Sequence, residues 1–136
     1  MRPEPRLGCG IALLRDGRLL LVKRRRPPEA GVWSFPGGKV DPFELTETAA
    51  RRETAEELGL EVGPLDLLCL VDLIDPPAGT HWVSPVYLAR EWLGEPRLVE
   101  PDKHERFEWF ALDALPEPAS VAVRAAVEAL RERGTR

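Results

Sequence analysis

The chain has little sulfur and no long apolar run, and both shortages narrow what it can be. Its two cysteines, Cys9 and Cys69, fit no CxxC or Cys/His spacing, so we predict neither a disulfide framework nor a zinc site. Apolar runs stay well below the roughly 20 residues of a membrane span, so we expect no membrane partner. The run 7–14 ends in Arg15-Asp16 without a small-residue cleavage site, which argues against a signal peptide. We therefore expect a cytoplasmic protein.

Basic charge is not in excess either. The 136 residues carry a formal net charge of −4, whereas sequence-independent binding of nucleic acid needs a basic surface, so we expect no nucleic-acid partner. Hydrophobic residues make up 43% of the chain, enough for a packed core. The length suits one core, and no repeat or linker divides it. We predict a single domain over 1–136.

Hydrophobic patterning predicts several strands before and after a central helix. The apolar runs 11–14 and 19–22 flank Asp16-Gly17, a strong hairpin signal. Residues 65–73 are nearly all apolar, which predicts a strand buried on both faces. These runs, together with the helices, indicate an α+β domain.

The last third of the chain adds two strands and a closing helix. Residues 82–89 read as a strand whose Pro85 favours a sheet edge or a bulge. Residues 105–110 alternate charged and aromatic side chains, which is typical of a strand with one inward face. Residues 118–133 carry an imperfect apolar stripe and predict an amphipathic helix.

The most informative segment is a helix predicted from Thr46, a candidate N-cap, to a left-handed C-cap at Gly59. At about 100° per residue, Glu53, Glu56 and Glu57 share one narrow arc. Like charges at this spacing cost roughly 0.2–0.5 kcal/mol per pair. A bare cluster of this kind is usually a solvated surface, but Mg²⁺ or Mn²⁺ would offset the repulsion by binding the oxygens.

The segment 38–60 extends this cluster and resembles the signature of the Nudix hydrolase family, G-x5-E-x7-R-E-U-x-E-E-x-G-U, where U is bulky and apolar. The matching positions are Gly38, Glu44, Arg52, Glu53, Glu56, Glu57, Gly59 and Leu60. Thr54 departs from the first U, and Phe43 stands where many relatives carry glycine. Residues 30–38 also resemble the G-x-W-x-x-P-G-G run that precedes the signature.

The resemblance implies an α/β/α sandwich with a mixed β-sheet and hydrolysis of a nucleoside diphosphate linked to another group. Mg²⁺ is the expected cofactor, with Mn²⁺ as a substitute. Glu53 and Glu57 are the first-choice ligands, Glu56 completes the cluster, and the Gly38 backbone offers a carbonyl.

Three further charged residues have expected roles around that cluster. Arg52 is similar to the family arginine that orients the acidic groups, and Glu44 is expected to support them from the preceding loop. Glu105 matches a glutamate that often points into the active site of relatives. The general base stays open between Glu53 and Glu105.

Six side chains outside the signature are candidates for substrate contact: Lys23, Arg24, Trp33, Phe35, His81 and Trp82. The two cations end the second predicted strand and could supply counter-charge for a diphosphate facing three glutamates. Trp33 and Phe35 could stack a base, although their alternate spacing favours packing in the core equally. The last two lie beside a loop, where substrate selection is common.

The sequence leaves the substrate and one alternative class open. A nucleoside triphosphate cleaved to monophosphate and pyrophosphate is the first choice, and ADP-ribose or another nucleoside diphosphate sugar, favoured by Pro76, is the alternative. A non-catalytic nucleotide-binding regulatory module is the alternative of another class, although the intact carboxylates of the signature argue against it. A homodimer is kept as an option.

Overall fold

The computed structural model describes residues 4–27 and 29–135, and it contains nine strands and two helices in those ranges. The strands are β1 (Arg6–Arg15), β2 (Arg18–Arg24), β3 (Trp33–Ser34), β4 (Gly37–Lys39), β5 (Glu61–Val62), β6 (Leu65–Asp75), β7 (Thr80–Ala89), β8 (Trp92–Leu93) and β9 (His104–Ala111), and the helices are α1 (Thr46–Leu58) and α2 (Val121–Glu132).

Seven strands form one sheet in the order β3-β2-β1-β7-β6, with β4 paired to β1 and β9 to β2. β1 and β7 run parallel and the other pairs are antiparallel, so the sheet is mixed. One core cluster includes buried residues of α1 and the other those of α2, on opposite sides of the sheet. The predicted α/β/α sandwich is confirmed.

The hairpin at Asp16-Gly17 is confirmed and places β1 at the centre of the sheet. Both turn residues have positive φ, 52° and 73°, and Leu14 pairs with Leu19 across the turn. Successive strand residues point to opposite faces, so Leu13 joins the α1 cluster while Leu14 joins the α2 cluster. The continuous apolar runs are therefore strands covered by a helix on each side.

β6 corrects the expectation of a strand buried on both faces. It pairs only with β7 and forms an edge of the sheet. Helix α2 covers one of its faces, but Leu67, Leu70 and Ile74 on the other are 55%, 61% and 61% exposed. An apolar run thus does not distinguish a central strand from an edge strand whose second face is uncovered.

The strand that contains Pro85 was expected at a sheet edge or at a bulge, and the expectation of an edge is wrong. β7 lies between β1 and β6, and Pro85 is paired with Leu70. An irregularity does occur beside it, since the β6 register shifts between Leu67 and Cys69. The β1–β7 pairing is interrupted at the same place, between Leu7–Val83 and Gly10–Val86, so Pro85 lies outside the regular part of that ladder.

Helix α1 spans the expected residues, but its first cap differs from the prediction. Gly59 adopts the left-handed conformation and its N–H donates to the Ala55 carbonyl, as expected of the C-cap. Leu45 is the N-cap and makes no side-chain capping bond, so Thr46 is the first helical residue. The Thr46 hydroxyl lies 2.6 Å from the Tyr87 hydroxyl and ties the helix start to β7 instead.

The two late predictions hold with small changes of boundary. β9 contains the predicted strand 105–110 and extends it at both ends. Helix α2 begins at Val121, three residues after the predicted start, because the Ser120 hydroxyl accepts the Val123 N–H and caps it there.

The loop before α1 keeps its shape without the glycine that many relatives have. Phe43 has φ 68° and a fully exposed side chain. We predict that Phe43→Gly raises the free energy of unfolding by about 0.5–1 kcal/mol, because glycine adopts this conformation without the steric cost of a Cβ. Denaturant unfolding measures it. Phe43→Ala keeps the Cβ and should gain nothing, and an equal gain in both variants would contradict the explanation.

Candidate active site

One guanidinium group, that of Arg52, joins the loop before α1 to the acidic face of the helix. Its Nε and Nη2 donate to the two carboxylate oxygens of Glu44 at 2.8 and 3.0 Å. Its Nη1 donates to Glu53 at 3.0 Å and lies 3.4 Å from Glu56, and Nη2 also donates to the Lys39 carbonyl at 3.1 Å. The pairing of Arg52 with the carboxylates that the sequence predicts is therefore present.

The three glutamates of the arc lie at different depths. Glu57 is 4% exposed, the Glu53 side chain 18%, and the Glu56 side chain 49%. Helix α1 thus brings Glu53 and Glu57 together beneath the surface and leaves Glu56 at the rim. Burial raises the pKa of Glu53, the charge of Glu57 raises it further, and the hydrogen bond from Arg52 lowers it.

Glu57 is held at both carboxylate oxygens. The Gly37 N–H donates to Oε2 at 2.8 Å, and the His104 Nε2 lies 3.2 Å from Oε1. Burial raises the pKa of Glu57, and the contact with His104 opposes that rise. A buried carboxylate with this environment is a frequent component of functional sites.

Strand β4 lies close to Glu53 on one side and to the β1 backbone on the other, and its two glycines allow both approaches. A Cβ on Gly38 would lie 2.6 Å from Cδ of Glu53, and one on Gly37 would lie 2.1 Å from the Cys9 carbonyl oxygen. The Gly38 carbonyl accepts a 3.5 Å contact from the Cys9 thiol, whose pKa burial raises to about 11. A narrow cradle of carboxylate and carbonyl oxygens fits a hard divalent cation such as Mg²⁺ or Mn²⁺.

A second set of possible metal-binding groups overlaps this cradle. Glu57, Glu100 and His104 offer ligand atoms that lie within 4.8 Å of one another. Only Glu57 belongs to the signature, whereas the other two come from the loop before β9 and from its first residue.

Two cavities meet at β4 and share Arg24 and the glycine strand. A polar cavity of about 320 Å³ contains Glu53, Glu57 and Glu100 together with four cations, Arg24, Arg26, Lys39 and Lys103. A more apolar cavity of about 350 Å³ is lined by Phe35, Leu73, Trp82 and Val86 among others. The volumes lie within the range of small-molecule sites. A charged group in the first cavity can therefore belong to the same ligand as an apolar group in the second.

Three of the six substrate candidates line these cavities. Arg24 borders both of them, while Phe35 and Trp82 border the apolar one. The Arg6 guanidinium lies over the Trp82 ring at 5.7 Å from its centroid. Arg24 and Trp82 fit the interpretation made from the sequence. Phe35 is 7% exposed and belongs to the core cluster on the α2 side, so it borders the cavity mainly as a core residue.

The other three candidates lie elsewhere and are corrected. Trp33 is 4% exposed and packs edge-on against Phe110, at 4.9 Å between ring centroids, so it belongs to the core and cannot stack a base. Lys23 lines neither cavity and its Nζ lies 3.7 Å from a carboxylate oxygen of Glu105. His81 lines neither cavity either and is paired with Ile74.

The expectation that Glu105 points into the site is wrong, and a β-bulge explains why. Phe107 pairs with Val22 in regular alternation, which on its own would keep Glu105 on the side of α1. The register shifts between Lys23 and Arg24, so the extra residue turns Glu105 outward and His104 inward. The Glu105 side chain is 46% exposed, and His104 contacts Glu57 in its place.

Sequence reasoning missed five charged or titratable residues of the polar cavity: Arg26, Lys39, Glu100, Lys103 and His104. Lys39 adjoins Gly38 and Arg26 follows Arg24 in the basic run, so these two had a signal in their neighbours. Lys103 and His104 stand at the start of β9, away from the signature. Residues 94–103 have no periodicity that could indicate their direction. Only the backbone bonds from Arg97 and Val99 to the carbonyls of Leu58 and Glu57 show that this loop folds onto the end of α1.

The Arg52–Glu44 pair predicts a pH dependence of stability. The hydrogen bond from Arg52 lowers the pKa of Glu44 from 4.5 to about 2, so the pair stabilises the fold above pH 4.5 and this contribution is lost as the pH falls through about 2. Glu44→Gln should lower the melting temperature at pH 7, and its difference from the wild type should shrink on acidification. Thermal unfolding between pH 7 and the lowest pH that permits folding measures this. Glu47→Gln, an exposed glutamate of the first turn of α1, is the control, and a difference that does not vary with pH would contradict the assignment.

Comparison with known proteins agrees with this geometry. The family model for the NUDIX domain matches residues 4–130. The structure is similar to the crystal structure of a MutT NUDIX hydrolase from Burkholderia pseudomallei, with TM-score 0.91, 57% identity, and coverage of 93% of this chain and 98% of that one.

Two curated relatives carry named activities. An RNA pyrophosphohydrolase of Caulobacter vibrioides is 34% identical over 134 residues, covering 85% of this chain and 77% of the relative. A putative 8-oxo-dGTP diphosphatase 2 of Mycobacterium tuberculosis is 53% identical over 55 residues, about 40% of this chain and 39% of the relative. The signature, the fold and these matches agree: the chain belongs to the Nudix family and is a hydrolase that acts on phosphoric anhydrides.

Proposed function

We propose that the chain hydrolyses a nucleoside triphosphate to the monophosphate and pyrophosphate with Mg²⁺, for which Mn²⁺ can substitute. The observation that carries this proposal is the junction of the two cavities at β4. Carboxylates and cations stand on one side of it, and Phe35 and Trp82 on the other. A phosphate chain and a base would each meet suitable chemistry there. The name of the diphosphatase relative supports a free nucleotide as substrate.

In this proposal the acidic residues of α1 and the Gly38 carbonyl hold the divalent cation. Glu53 and Glu57 are its main ligands, and Glu56 at the rim completes the set. The cation supplies charge neutralisation of the phosphates and acidification of water. Glu53 is our candidate for accepting a proton from the attacking water.

Basic residues of the polar cavity would bind the phosphates. Arg24, Lys39 and Lys103 line the cavity that contains Glu53 and Glu57. A diphosphate placed beside three carboxylates needs such counter-charge. Arg52 would contribute differently, by fixing Glu53 and Glu56 through the contacts described above, while Glu44 anchors the guanidinium.

The sequence argument for the alternative substrate, ADP-ribose or another nucleoside diphosphate sugar, is weak. Pro76 lies in an exposed turn between β6 and β7, where the Gly79 N–H donates to its carbonyl. Proline is common in turns for conformational reasons, so it needs no role in substrate choice. A regulatory module without turnover is disfavoured, because contacts with Arg52 hold Glu44, Glu53 and Glu56, while Gly37 and His104 hold Glu57.

We place the protein in the cytoplasm. Two isolated cysteines without a disulfide, Cys9 and Cys69, are compatible with a reducing compartment. Neither helix of the described part of the chain is both long and apolar enough to span a bilayer.

The activity prediction uses product identification over a panel of substrates. The panel contains the common and oxidised nucleoside triphosphates, ADP-ribose, nucleotide sugars, dinucleoside polyphosphates and a short 5′-triphosphorylated RNA, each with Mg²⁺ and with Mn²⁺. We expect monophosphate and pyrophosphate from at least one triphosphate, and no turnover in the presence of a chelator. Turnover of ADP-ribose, a nucleotide sugar or RNA alone would overturn the substrate, and no metal-dependent turnover would overturn the activity.

Glu53→Gln separates catalysis from binding. We expect at least a 1000-fold loss of kcat, because a neutral amide is a poor metal ligand and no base. Affinity for a non-hydrolysable triphosphate should stay within an order of magnitude, since the basic residues and the apolar cavity are unchanged. Glu47→Gln on the exposed first turn of α1 is the matched control and should retain wild-type turnover. A variant at position 53 with near-normal kcat would contradict the role of Glu53.

We also propose that the chain self-associates weakly through the uncovered face of β6. Register places Leu67, Leu70 and Ile74 on one face, with the exposed Asp72 between the last two, and Leu7 follows on β1 beyond β7. Their exposed fractions, 48–61%, correspond to roughly 400 Å² of apolar surface, about half of what one partner contributes to a standard interface of roughly 800 Å² per side. Patches of this size occur on ordinary monomers and are often functional, and this one would suit the centre of a weak two-fold contact.

Sedimentation velocity over a range of protein concentrations tests the dimer. We expect the weight-average sedimentation coefficient to rise with concentration for the wild type. The double variant Leu70→Lys and Ile74→Lys should remain monomeric, because it places like charges at the contact. A wild type that stays monomeric at several hundred micromolar would contradict the proposal.

A further inference from the structure

The contact between His104 and Glu57 is absent from the signature and is one of the most buried polar contacts of the site. The imidazole is 3% exposed and the glutamate 4%. His104 Nε2 lies 3.2 Å from Oε1, while the Gly37 N–H occupies Oε2 at 2.8 Å. Each oxygen of Glu57 thus has one protein donor, and each retains lone pairs for another partner.

Loss of the His104 donor would free one end of this carboxylate. The last side-chain torsion of glutamate, χ3, has a broad distribution of angles without one strongly preferred value. With both oxygens held, the plane of the Glu57 carboxylate is fixed relative to β4. With only the Gly37 N–H left, Oε1 would be buried without a partner, and the group would rotate to seek one.

The backbone around the pair holds the two side chains at this distance. The His104 residue pairs with Arg24 across the β-bulge, and its own N–H donates to the Glu100 carbonyl at 3.1 Å. The Val99 N–H donates to the Glu57 carbonyl at 3.1 Å, so the loop before β9 is fastened to α1. The loop before β9 therefore positions both residues: Val99 fastens it to Glu57 of α1, and Glu100 holds His104 at the start of β9.

His104 suits the role of a donor better than that of a metal ligand. Nε2 faces an acceptor oxygen and so carries a proton, whereas the other ring nitrogen, Nδ1, is buried without a hydrogen-bond partner among the described residues. A ligating histidine ordinarily donates its second N–H to a carboxylate or carbonyl, and none is present here. Hard divalent cations also prefer oxygen ligands.

We propose that His104 is a positioning residue whose Nε2–H holds the Glu57 carboxylate in the orientation that binds the divalent cation. This inference rests on the proposed role of Glu57 as a ligand of that cation. Glu105 was expected to enter the active site as a possible general base. In this proposal His104 enters the site in its place, and it supports a metal ligand and does not act as a base.

Mn²⁺ binding without substrate tests the proposal directly, with the loss of the free Mn²⁺ signal in electron paramagnetic resonance as the readout. His104→Leu removes the donor and should weaken Mn²⁺ binding by about 10-fold or more, the usual effect of losing a group that orients a ligand. His104→Gln places an amide N–H near the Nε2 position and should bind within about three-fold of the wild type. Val127→Ala, a buried change in α2 on the opposite side of the sheet, controls for lost stability and should bind as the wild type does.

Unchanged binding in His104→Leu would overturn the proposal, and so would an equal loss in His104→Gln, since the imidazole itself would then be the ligand. Circular dichroism checks folding, and His104→Asn, whose amide is too short to reach Oε1, replaces the leucine variant if that one does not fold. Turnover is measured separately on the wild type. An active wild type together with unchanged Mn²⁺ affinity in the leucine variant would contradict this inference alone. An inactive wild type would contradict the proposed function, and the Mn²⁺ titration would still decide the role of His104.

Discussion

The structure of the site depends on one cation, the Arg52 guanidinium, set among carboxylates that repel one another. Four of them lie within 3.4 Å of it, and the shortest contacts are the bidentate pair with Glu44. Negative charges around it raise the pKa of Arg52, so this group stays protonated at every pH at which the protein folds. Because Arg52 also binds the Lys39 carbonyl, it links β4, the following loop and α1. Without it, Glu53 and Glu56 would have neither a counter-charge nor a fixed orientation.

The second constraint is the close approach of β4 to the helix. Gly38 allows the strand to lie against Glu53, Gly37 allows it to lie against the β1 backbone, and the alanines at positions 49 and 50 allow the helix to lie against the sheet. This proximity removes water from Glu53 and Glu57 and raises the pKa of both. Burial alone would be unfavourable for two neighbouring carboxylates. Donors from Arg52, Gly37 and His104 offset part of that cost, and a bound cation would offset the remainder.

Features encoded by local spacing could be predicted from the sequence. The Asp16-Gly17 turn, the bounds of α1 and its Gly59 cap follow from short-range chemistry, and the signature locates Arg52 and its partners. Features that depend on tertiary contacts could not. The bulge opposite Lys23 reverses the side chains of Glu105 and His104, and nothing in the alternating pattern of β9 reveals it. One face of β6 is uncovered because α1 does not extend over that edge of the sheet. Trp33 could be assigned to the core only once its packing against Phe110 was known.

The central claim is that Glu53, Glu56 and Glu57 of α1 and the Gly38 carbonyl form one binding site for a divalent cation beside the nucleotide cavity. The most direct test is a crystal structure with Mn²⁺ and a non-hydrolysable nucleoside triphosphate, in which anomalous scattering locates the metal. We predict a manganese peak in contact with Glu53, Glu57 and the phosphates, with the base in the apolar cavity beside Trp82. A peak that contacts neither glutamate, or a nucleotide bound outside the two cavities, would contradict the account.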